Sequence, residues 1–284
     1  MNREEFAERF SHGVHLLDGA TGTELRRAGM PADCCAEQWI IDHPREIIRL
    51  QEAYAKAGSE ILYAPTFLAQ PPALKKWGLE DETEKINREL VRLTRTVSPD
   101  CLAAGNLTTM RGSTDDPEIM RNAYRRQIEA LADSGADLLA AETLMSLEEA
   151  EMILDLAGAL SAPAVMVSFT CQGDRLFSGE KLTDALRIAE EAGAAAAGVN
   201  CVPASGELPE LIGKLRGITG LPLICKPNAG YPVNGEYPVN IKEFTSVMLA
   251  CTGNGANLIG GCCGTTPDYI RNVCQCLRQN GLSE

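Results

Sequence analysis

The sequence alternates about eight times between a short apolar run and a longer stretch whose apolar residues recur at three- and four-residue spacing. Short runs of this kind predict buried strands, and the longer stretches predict amphipathic helices. The predicted strands are 14–18, 61–64, 101–105, 137–142, 164–170, 195–200, 222–226 and 257–261. The predicted helices are 44–57, 80–97, 117–134, 147–160, 182–192, 209–217, 241–253 and 267–279. Strand and helix in unbroken succession predict a parallel sheet covered by helices.

This succession predicts an α/β fold, and eight repeats fit a single closed (β/α)8 TIM barrel better than an open doubly wound sheet. The chain has 284 residues, which accommodates the roughly 250 residues of such a barrel. No linker or low-complexity segment divides the sequence, so we expect one domain over residues 1–284. The open sheet stays the structural alternative, because the pattern does not encode closure.

Charge and targeting signals narrow the possible partners. The formal net charge is −13, whereas nucleic-acid binding needs a surplus of Lys and Arg. Three of the first six residues are charged, and this segment lacks the apolar core of a signal peptide; no stretch approaches the ~18 apolar residues of a membrane span. We therefore expect a cytoplasmic protein that binds neither nucleic acid nor a membrane.

The 11 cysteines argue for core thiols or metal binding, because a chain with no export signal rarely carries a disulfide framework. A single cysteine is most often an inert core thiol. That expectation covers Cys101, Cys171, Cys225 and Cys251. The adjacent pair at positions 34 and 35 shows that adjacency alone is weak evidence for a metal site.

A TIM barrel places its chemistry on the loops at the carboxyl ends of its strands. The polar or sulfur-containing residues at or near those predicted ends are Asp18, Thr66, Asn106, Glu142, Thr170, Cys201, Asn228, Cys262 and Cys263. We therefore expect all of these side chains to face one mouth.

Cys262 and Cys263 stand between glycines, after a predicted strand and just before a helix that begins at Pro267. Glycine allows tight turns that would otherwise clash, so both sulfurs can point toward one position. Cys201, at the end of another predicted strand, would supply a third sulfur. Three thiolates are soft ligands that favour zinc, and three protein ligands leave the fourth position open to substrate.

The charge of such a site indicates its task. Zinc with three thiolates has a formal charge of −1, which makes it a poor activator of water. It can still hold an incoming thiol as its thiolate near neutral pH, although a free thiol has a pKa of about 8.5. A centre of this kind prepares a sulfur nucleophile for alkyl transfer.

Three features near the predicted mouth each allow two interpretations. Glu142 ends an apolar strand, so it needs either a ligand ammonium group or a salt bridge inside the barrel. The turn at 18–24 is rich in Gly and Thr and could present backbone N–H groups to an anion such as a substrate carboxylate. Lys226 could form a Schiff base, although a Lys before Pro is more often structural.

Four segments together resemble one family. They are Asp-Gly-Ala-Thr-Gly-Thr-Glu at 18–24, Gly-Val-Asn-Cys at 198–201, Pro-Asn-Ala-Gly at 227–230 and Gly-Gly-Cys-Cys-Gly-Thr-Thr-Pro at 260–267. In this order they resemble the zinc-dependent homocysteine S-methyltransferase family, and are most similar to the homocysteine-binding domain of cobalamin-dependent methionine synthase. The resemblance spans nearly the whole chain. It implies a (β/α)8 barrel that transfers a methyl group to homocysteine by in-line displacement, giving methionine.

The resemblance also implies a metal site. Cys201, Cys262 and Cys263 match the zinc ligands, and the sulfur of homocysteine would bind the same metal. Asn228 matches a fourth ligand that is used when substrate is absent.

For the rest of the substrate, the resemblance implies two contacts. Glu142 would receive the amino group, and the backbone around Asp18, Gly19 and Thr66 would receive the carboxylate. The methyl donors of the family are a methylcorrinoid, betaine or S-methylmethionine. The sequences of the motifs favour a methylcorrinoid carried by a separate protein as the donor and partner of this chain.

Other functions stay open at this point. The same zinc barrel could use another donor or another thiol acceptor, since Pro65 and the segment 105–108 differ from the sequence that is usual in the methionine synthase branch. A zinc-thiolate protein without catalytic activity would need no role for Glu142. A Schiff-base lyase would use Lys226 instead of the cysteines.

Overall fold

The computed structural model describes residues 1–282 and contains a ring of eight parallel strands. The strands are β1 (His15–Leu16), β2 (Ile61–Tyr63), β3 (Leu102–Thr108), β4 (Leu138–Leu144), β5 (Val165–Phe169), β6 (Ala196–Pro203), β7 (Leu223–Asn228) and β8 (Leu258–Ile259). They follow one another around the ring in chain order, and a parallel bridge between Leu17 and Ile61 joins the first two strands. The predicted (β/α)8 barrel is therefore confirmed. Residues 283 and 284 of the predicted domain lie outside the described residues.

Helices connect the strands and surround the barrel. They are α1 (Arg3–Phe10), α2 (Gly22–Arg27), α3 (Ala36–Asp42), α4 (Pro44–Ala57), α5 (Pro71–Leu74), α6 (Thr83–Arg95), α7 (Pro117–Asp133), α8 (Leu147–Ala159), α9 (Leu182–Glu191), α10 (Leu208–Arg216), α11 (Ile241–Gly253) and α12 (Pro267–Gln279). Asp116 and Thr266 accept hydrogen bonds from the first turns of α7 and α12, and each precedes a proline that suits the first helical position. Within residues 1–282, none of the helices is both long enough and apolar enough to cross a membrane.

The structure contains elements that the periodicity does not predict. The connection from β1 to β2 holds α2 and α3 ahead of the expected α4. A 3-10 turn at Glu80–Glu82 replaces the predicted start of α6, and an antiparallel hairpin of Cys171–Gln172 with Arg175–Leu176 follows β5. Short insertions of this kind fall below the length at which a periodic pattern becomes visible.

Four strands run further than predicted, because β3, β4, β6 and β7 continue to Thr108, Leu144, Pro203 and Asn228. The polar residues expected just after these strands are therefore parts of the strands themselves. A side chain on a strand has a fixed inward or outward direction, so this extension decides where the polar groups point.

The inside of the barrel changes from apolar to polar along its length. Phe6 and Phe10 of α1 belong to an inner apolar cluster that also contains Leu138 and Ala140 of β4. Successive residues of a strand point to opposite faces, so the next inward residue of β4 is Glu142. On β6 and β7, Asn200 lies four residues after Ala196 and Lys226 lies two residues after Ile224, so both of these polar residues also point inward. A polar layer therefore closes the carboxyl end of the apolar interior.

Gly198 of β6 lies where the neighbouring strand leaves no room for a side chain, because a Cβ there would be 2.1 Å from the carbonyl oxygen of Ile224. We expect Gly198→Ala to lower the free energy of unfolding by about 2–3 kcal/mol, measured by urea denaturation. Gly158→Ala is the matched control, because Gly158 is exposed in α8 and a Cβ there meets no atom within 4 Å. This control should stabilise the protein by about 0.5–1 kcal/mol. Equal stability of the two variants would contradict the strand packing described here.

Candidate metal centre

Three cysteine sulfurs meet at the carboxyl end of the barrel. The Sγ atoms of Cys201, Cys262 and Cys263 all lie within 4.8 Å of one another, and each residue is half-buried. Tetrahedral ligation with Zn–S bonds of about 2.3 Å places sulfurs about 3.8 Å apart, which this arrangement allows. Within residues 1–282, no other group of three or more His, Cys, Asp or Glu side chains converges in this way. The structure thus brings together the cysteines of two distant segments.

Hydrogen bonds fix the segment that carries Cys262 and Cys263. The backbone N–H of Cys262 donates to the carbonyl of Pro227 at 2.8 Å, and the carbonyl of Cys263 accepts from the N–H of Ala229 at 3.0 Å. The hydroxyl of Thr265 donates to the carbonyl of Cys262 at 2.8 Å. The two sulfurs are therefore positioned by contacts with the end of β7 and by the turn into α12.

Cys201 and Glu142 both lie at irregularities of their strands. The register of β4 against β5 shifts around Glu142, and the register of β6 against β7 shifts around Cys201. Thr143 and Cys201 have positive φ angles of 59° and 55°. Such angles are uncommon outside glycine and are unusual for a β-branched residue. Glu142 keeps the inward direction that regular alternation gives it, whereas the bulge after Asn200 changes the direction of Cys201.

The side chain of Asn200, which is fully buried, connects the two irregular strand ends. Its Oδ1 accepts from the N–H of Thr143 at 2.8 Å and from the hydroxyl of Ser168 at 3.0 Å. Its Nδ2 donates to Thr143 Oγ1 at 2.8 Å and to Glu142 Oε2 at 3.3 Å. One amide therefore holds the backbone of the β4 bulge, and it belongs to the residue directly before Cys201.

A buried group of charges lies beside the cysteines. Lys226 Nζ is 3.3 Å from Asp18 Oδ1, 3.4 Å from Glu142 Oε2 and 4.0 Å from the centre of the Tyr63 ring. Asn106 Nδ2 donates to Glu142 Oε1 at 2.8 Å. With both carboxylates ionised, the group has one positive and two negative charges, so its net charge is −1.

Burial and mutual attraction set the protonation of this group. Burial raises the pKa of Asp18 to about 6, although Lys226 acts in the opposite direction. Burial also raises the pKa of Glu142 above its ordinary value. For Lys226, burial alone would lower the pKa, but Glu142 and Asp18 together raise it well above the usual value. Lys226 is therefore an ammonium group, which disfavours the Schiff-base alternative because that chemistry needs a neutral amine.

The three thiols lie close enough to change one another's protonation. The neighbouring thiols of Cys201 and Cys262 lower the pKa of Cys263 well below its ordinary value. The thiols of Cys262 and Cys263 raise the pKa of Cys201. Three negative sulfurs at this spacing repel one another, so all three ionise together only beside a cation. The donor set is therefore suited to a divalent soft metal ion.

A cavity of about 310 Å³ connects the cysteines with the charged group. Besides the three cysteines, its lining includes Gly19, Ala20, Thr21, Gly22, Thr23, Tyr63, Asn106, Glu142, Thr143 and Lys226. Arg26, Glu37 and apolar side chains of α2, α3 and the loop after β2 complete the wall. The cavity is therefore large enough for a small amino-acid ligand and has sulfur, carboxylate and backbone N–H groups on its wall.

The remaining residues predicted for the mouth have different positions. Asp18 is not on the cavity wall, because its side chain is buried against Lys226 and accepts from the N–H of Tyr63 at 2.8 Å. Thr66 is also away from the wall, and its hydroxyl donates to the carbonyl of Asn106 at 2.8 Å while its N–H donates to Ala64. Thr66 therefore positions Asn106 and has no free donor for a ligand.

Asn228 lies at the end of β7, beside the cysteines. Its Nδ2 donates to the carbonyl of Cys201 at 3.2 Å. Its Oδ1 is buried and has no hydrogen-bond partner among the described residues. A buried oxygen without a partner is costly, so this atom is available to a bound ion or ligand.

Sequence reasoning missed the roles of Asn200 and Tyr237, and it treated Lys226 as most often structural. Tyr237 packs so closely on Gly264 that a Cβ there would lie 2.1 Å from the ring. Gly264 also has a φ of +83°, so the site requires glycine for two reasons. The available signal for Asn200 and Lys226 was their even-numbered spacing from inward apolar residues on the same strands.

Comparisons with known proteins give the following relationships. The family model for homocysteine S-methyltransferase matches residues 15–277. A homocysteine S-methyltransferase of Escherichia coli is 29% identical over 292 residues, which cover 90% of this chain and 93% of that protein. A methionine synthase of Mycobacterium leprae is 26% identical over 298 residues, which cover 95% of this chain and 25% of that protein. The chain therefore spans only about a quarter of the length of that synthase.

One solved structure supports the same relationship. The crystal structure of the homocysteine methyltransferase MmuM from Escherichia coli in its metallated form has a TM-score of 0.80 at 26% identity. The match covers 92% of this chain and 96% of that chain. The similarity therefore extends over the whole barrel and is not confined to the cysteine segments.

Because Asn200 satisfies buried groups on two strands, its removal should destabilise the whole site. We expect Asn200→Ala to lower the free energy of unfolding by about 2–4 kcal/mol, since it leaves the N–H of Thr143 without an acceptor and removes one of the three donors to Glu142. Urea denaturation followed by circular dichroism measures the change. Asn254→Ala, at an exposed helix end, is the control and should change stability by less than about 1 kcal/mol. A loss no larger than that of the control would show that Asn200 does not hold the two strands together.

Proposed function

The chain belongs to the homocysteine S-methyltransferase family, and from that premise we propose that it is a zinc-dependent enzyme that methylates the thiol of homocysteine and gives methionine. The observation that carries the proposal is one cavity lined by three convergent cysteines, a buried carboxylate and a turn with free backbone N–H groups. These groups match the thiol, the amino group and the carboxylate of homocysteine.

Zinc fits the donor set. Cys201, Cys262 and Cys263 would hold the ion, and the unpartnered Oδ1 of Asn228 supports its role as an oxygen ligand in the absence of substrate. When bound, zinc supplies the positive charge that keeps a thiol ionised near neutral pH. A related protein, MmuM from Escherichia coli, is described in a metallated form, which is consistent with a metal at this position.

The charged group favours a ligand with an ammonium group. Lys226 compensates one of the two carboxylates of Asp18 and Glu142, so one negative charge lacks a counterion among the described residues. Of these two carboxylates, only Glu142 is on the cavity wall. The amino group of homocysteine, which is positively charged at neutral pH, would therefore bind Glu142.

The turn after β1 favours a ligand carboxylate at the other side of the cavity. The N–H groups of Gly19, Thr21 and Gly22 have no hydrogen-bond acceptor within residues 1–282, and all three residues line the cavity. Gly19 cannot be replaced easily, because a Cβ there would lie 2.6 Å from the hydroxyl of Tyr54. Free N–H groups in a turn form a suitable site for an anion.

These contacts would position homocysteine for the reaction. Glu142 and the turn at Gly19 would hold its two ends, so that its sulfur lies near Cys201 and faces the donor. In the transfer, the deprotonated sulfur forms a bond to the methyl carbon while the bond between that carbon and the donor breaks, and the electron pair leaves with the donor. Apolar residues on the cavity wall keep water away from the sulfur. Orientation of the reactants is expected to supply much of the rate.

A methylcorrinoid on a separate protein is our proposed donor, because the motifs are most similar to those of the synthase branch. S-methylmethionine and betaine are the alternative donors, and another small thiol is the alternative acceptor. A zinc-thiolate protein without catalysis is the alternative from a different class. The buried Glu142 disfavours that alternative, since a purely structural metal site does not need an uncompensated carboxylate on an adjacent cavity wall.

Elemental analysis tests the metal site. We expect about one zinc ion per chain in the purified protein and a loss of most of it in Cys201→Ala, because two thiolates bind zinc more weakly than three. Cys276→Ala is the control, since Cys276 lies on α12 away from the site. Zinc-loaded protein should also gain sulfur ligation in X-ray absorption when homocysteine is added. Retention of zinc by Cys201→Ala at the level of the control would remove this cysteine from the site.

Turnover assays test the reaction. We expect methionine to form from homocysteine with at least one of three donors: methylcobalamin or a methylcorrinoid protein, S-methylmethionine, and betaine. Cysteine and 2-mercaptoethanol should react at least about tenfold more slowly, because neither has an ammonium and a carboxylate at the spacing of homocysteine. Faster reaction of one of these thiols would replace homocysteine as the acceptor. Zinc binding without turnover of any thiol would favour the non-catalytic alternative.

A further inference from the structure

We propose that Lys226 is a positioning residue that makes the cavity selective for thiols with an ammonium group, by fixing both the orientation of Glu142 and the net charge around it. This inference rests on the proposed function, because it concerns the same cavity. Its basis is the geometry of a buried lysine between two carboxylates, of which one faces the cavity.

Three donors hold Glu142 in place. Lys226 Nζ and Asn200 Nδ2 contact its Oε2 at 3.4 and 3.3 Å, and Asn106 Nδ2 donates to its Oε1 at 2.8 Å. Lys226 and Asn200 are register partners on β7 and β6, so they approach Glu142 together from one side. Three contacts leave the carboxylate one orientation, which is a requirement for recognising a group of fixed position.

Lys226 is unsuited to binding the carboxylate of the ligand itself. Its ammonium group already contacts Asp18 and Glu142, and it lies 4.0 Å from the centre of the Tyr63 ring. The net charge of the three ionised groups is −1, so the field at this wall repels an anion and attracts a cation. The lysine therefore selects the ligand through the carboxylates and not through a contact of its own.

Asp18 contributes charge without touching the ligand. It is 1% exposed and is not on the cavity wall, and its Oδ2 accepts from the N–H of Tyr63. Lys226 could neutralise Glu142 completely if Asp18 were absent, and the wall would then have no net charge. The second, hidden carboxylate is thus what leaves Glu142 available to an ammonium group.

The test compares homocysteine with 4-mercaptobutanoate, which has the same thiol and carboxylate but no amino group. Binding to the zinc-loaded protein is measured by calorimetry at pH 8, and kcat and KM are measured where turnover occurs. Wild type should prefer homocysteine. In Lys226→Met this preference should fall about tenfold or more, through weaker binding of homocysteine, because Glu142 loses a contact that fixes its orientation and this loss outweighs the added negative charge; the zinc content should be unchanged.

Asp18→Asn is the second variant, because it removes one charge and keeps an acceptor for the N–H of Tyr63. It should also reduce the preference, although Glu142 and Lys226 both remain. Glu142→Gln should abolish the preference, and adding Lys226→Met to Glu142→Gln should reduce it no further, since both residues act through one carboxylate. Glu148→Gln, on the exposed first turn of α8, is the control and should leave the preference unchanged.

The outcomes separate this inference from the proposed function. If wild type binds homocysteine preferentially and Lys226→Met and Asp18→Asn weaken both ligands equally, Lys226 is only a structural ion pair and the inference is wrong. An unchanged preference in a folded Lys226→Met also overturns it. If Lys226→Met does not fold, Asp18→Asn decides by the same criterion. Absence of turnover with all donors, together with the expected calorimetric pattern, would reject the proposed reaction and retain the role of Lys226.

Discussion

The arrangement of the site depends on the hydrogen bonds of the Asn200 side-chain amide. Thr143 and Cys201 both adopt positive φ angles, and a backbone in that region persists only where its surroundings fix it. Asn200 provides that constraint for Thr143 by bonding both its N–H and its hydroxyl. The same amide donates to Glu142, so the carboxylate next to the strained residue is oriented by the contact that stabilises the strain. The cysteine that follows Asn200 in the sequence is placed by the same strand end.

The charged group illustrates why buried ions are retained in proteins. A buried ion pair often contributes little net stability, because desolvation offsets the attraction between the charges. Lys226 nevertheless lies between Asp18 and Glu142, and each of the two carboxylates has a further donor, from Tyr63 N–H and from Asn106. A network with this degree of satisfaction can hold a single conformation. Its value to the protein is therefore better sought in recognition than in stability.

Local patterns in the sequence were sufficient to predict the barrel and the convergence of the three cysteines. Parallel strands that alternate with helices leave few possible topologies, and the carboxyl ends of such strands meet at one mouth, so Cys201 and the pair at 262–263 could be placed together. The bulges could not be predicted, because a shift of register depends on the neighbouring strand and leaves no mark in the residues themselves. The role of Lys226 could not be predicted for the same reason, because it depends on residues of other strands. Its two carboxylates come from β4 and from the end of β1, and only the closed ring brings them near β7.

The electrostatic interaction between Glu142 and the cysteine sulfurs explains why a small aminothiol suits this cavity. Burial is the largest cause that raises the pKa of Glu142, and the negative charge of Cys262 acts in the same direction, so the carboxylate and the sulfurs affect each other electrostatically. In the proposed function, a ligand with a cationic group for the carboxylate and a thiol for the sulfur site would relieve the repulsion at one end and complete the coordination of the proposed metal at the other. A ligand without the cationic group would leave the carboxylate uncompensated in a buried wall. The proposed recognition of the ammonium group would therefore be coupled to the proposed chemistry of the sulfur through the field that the two sites share.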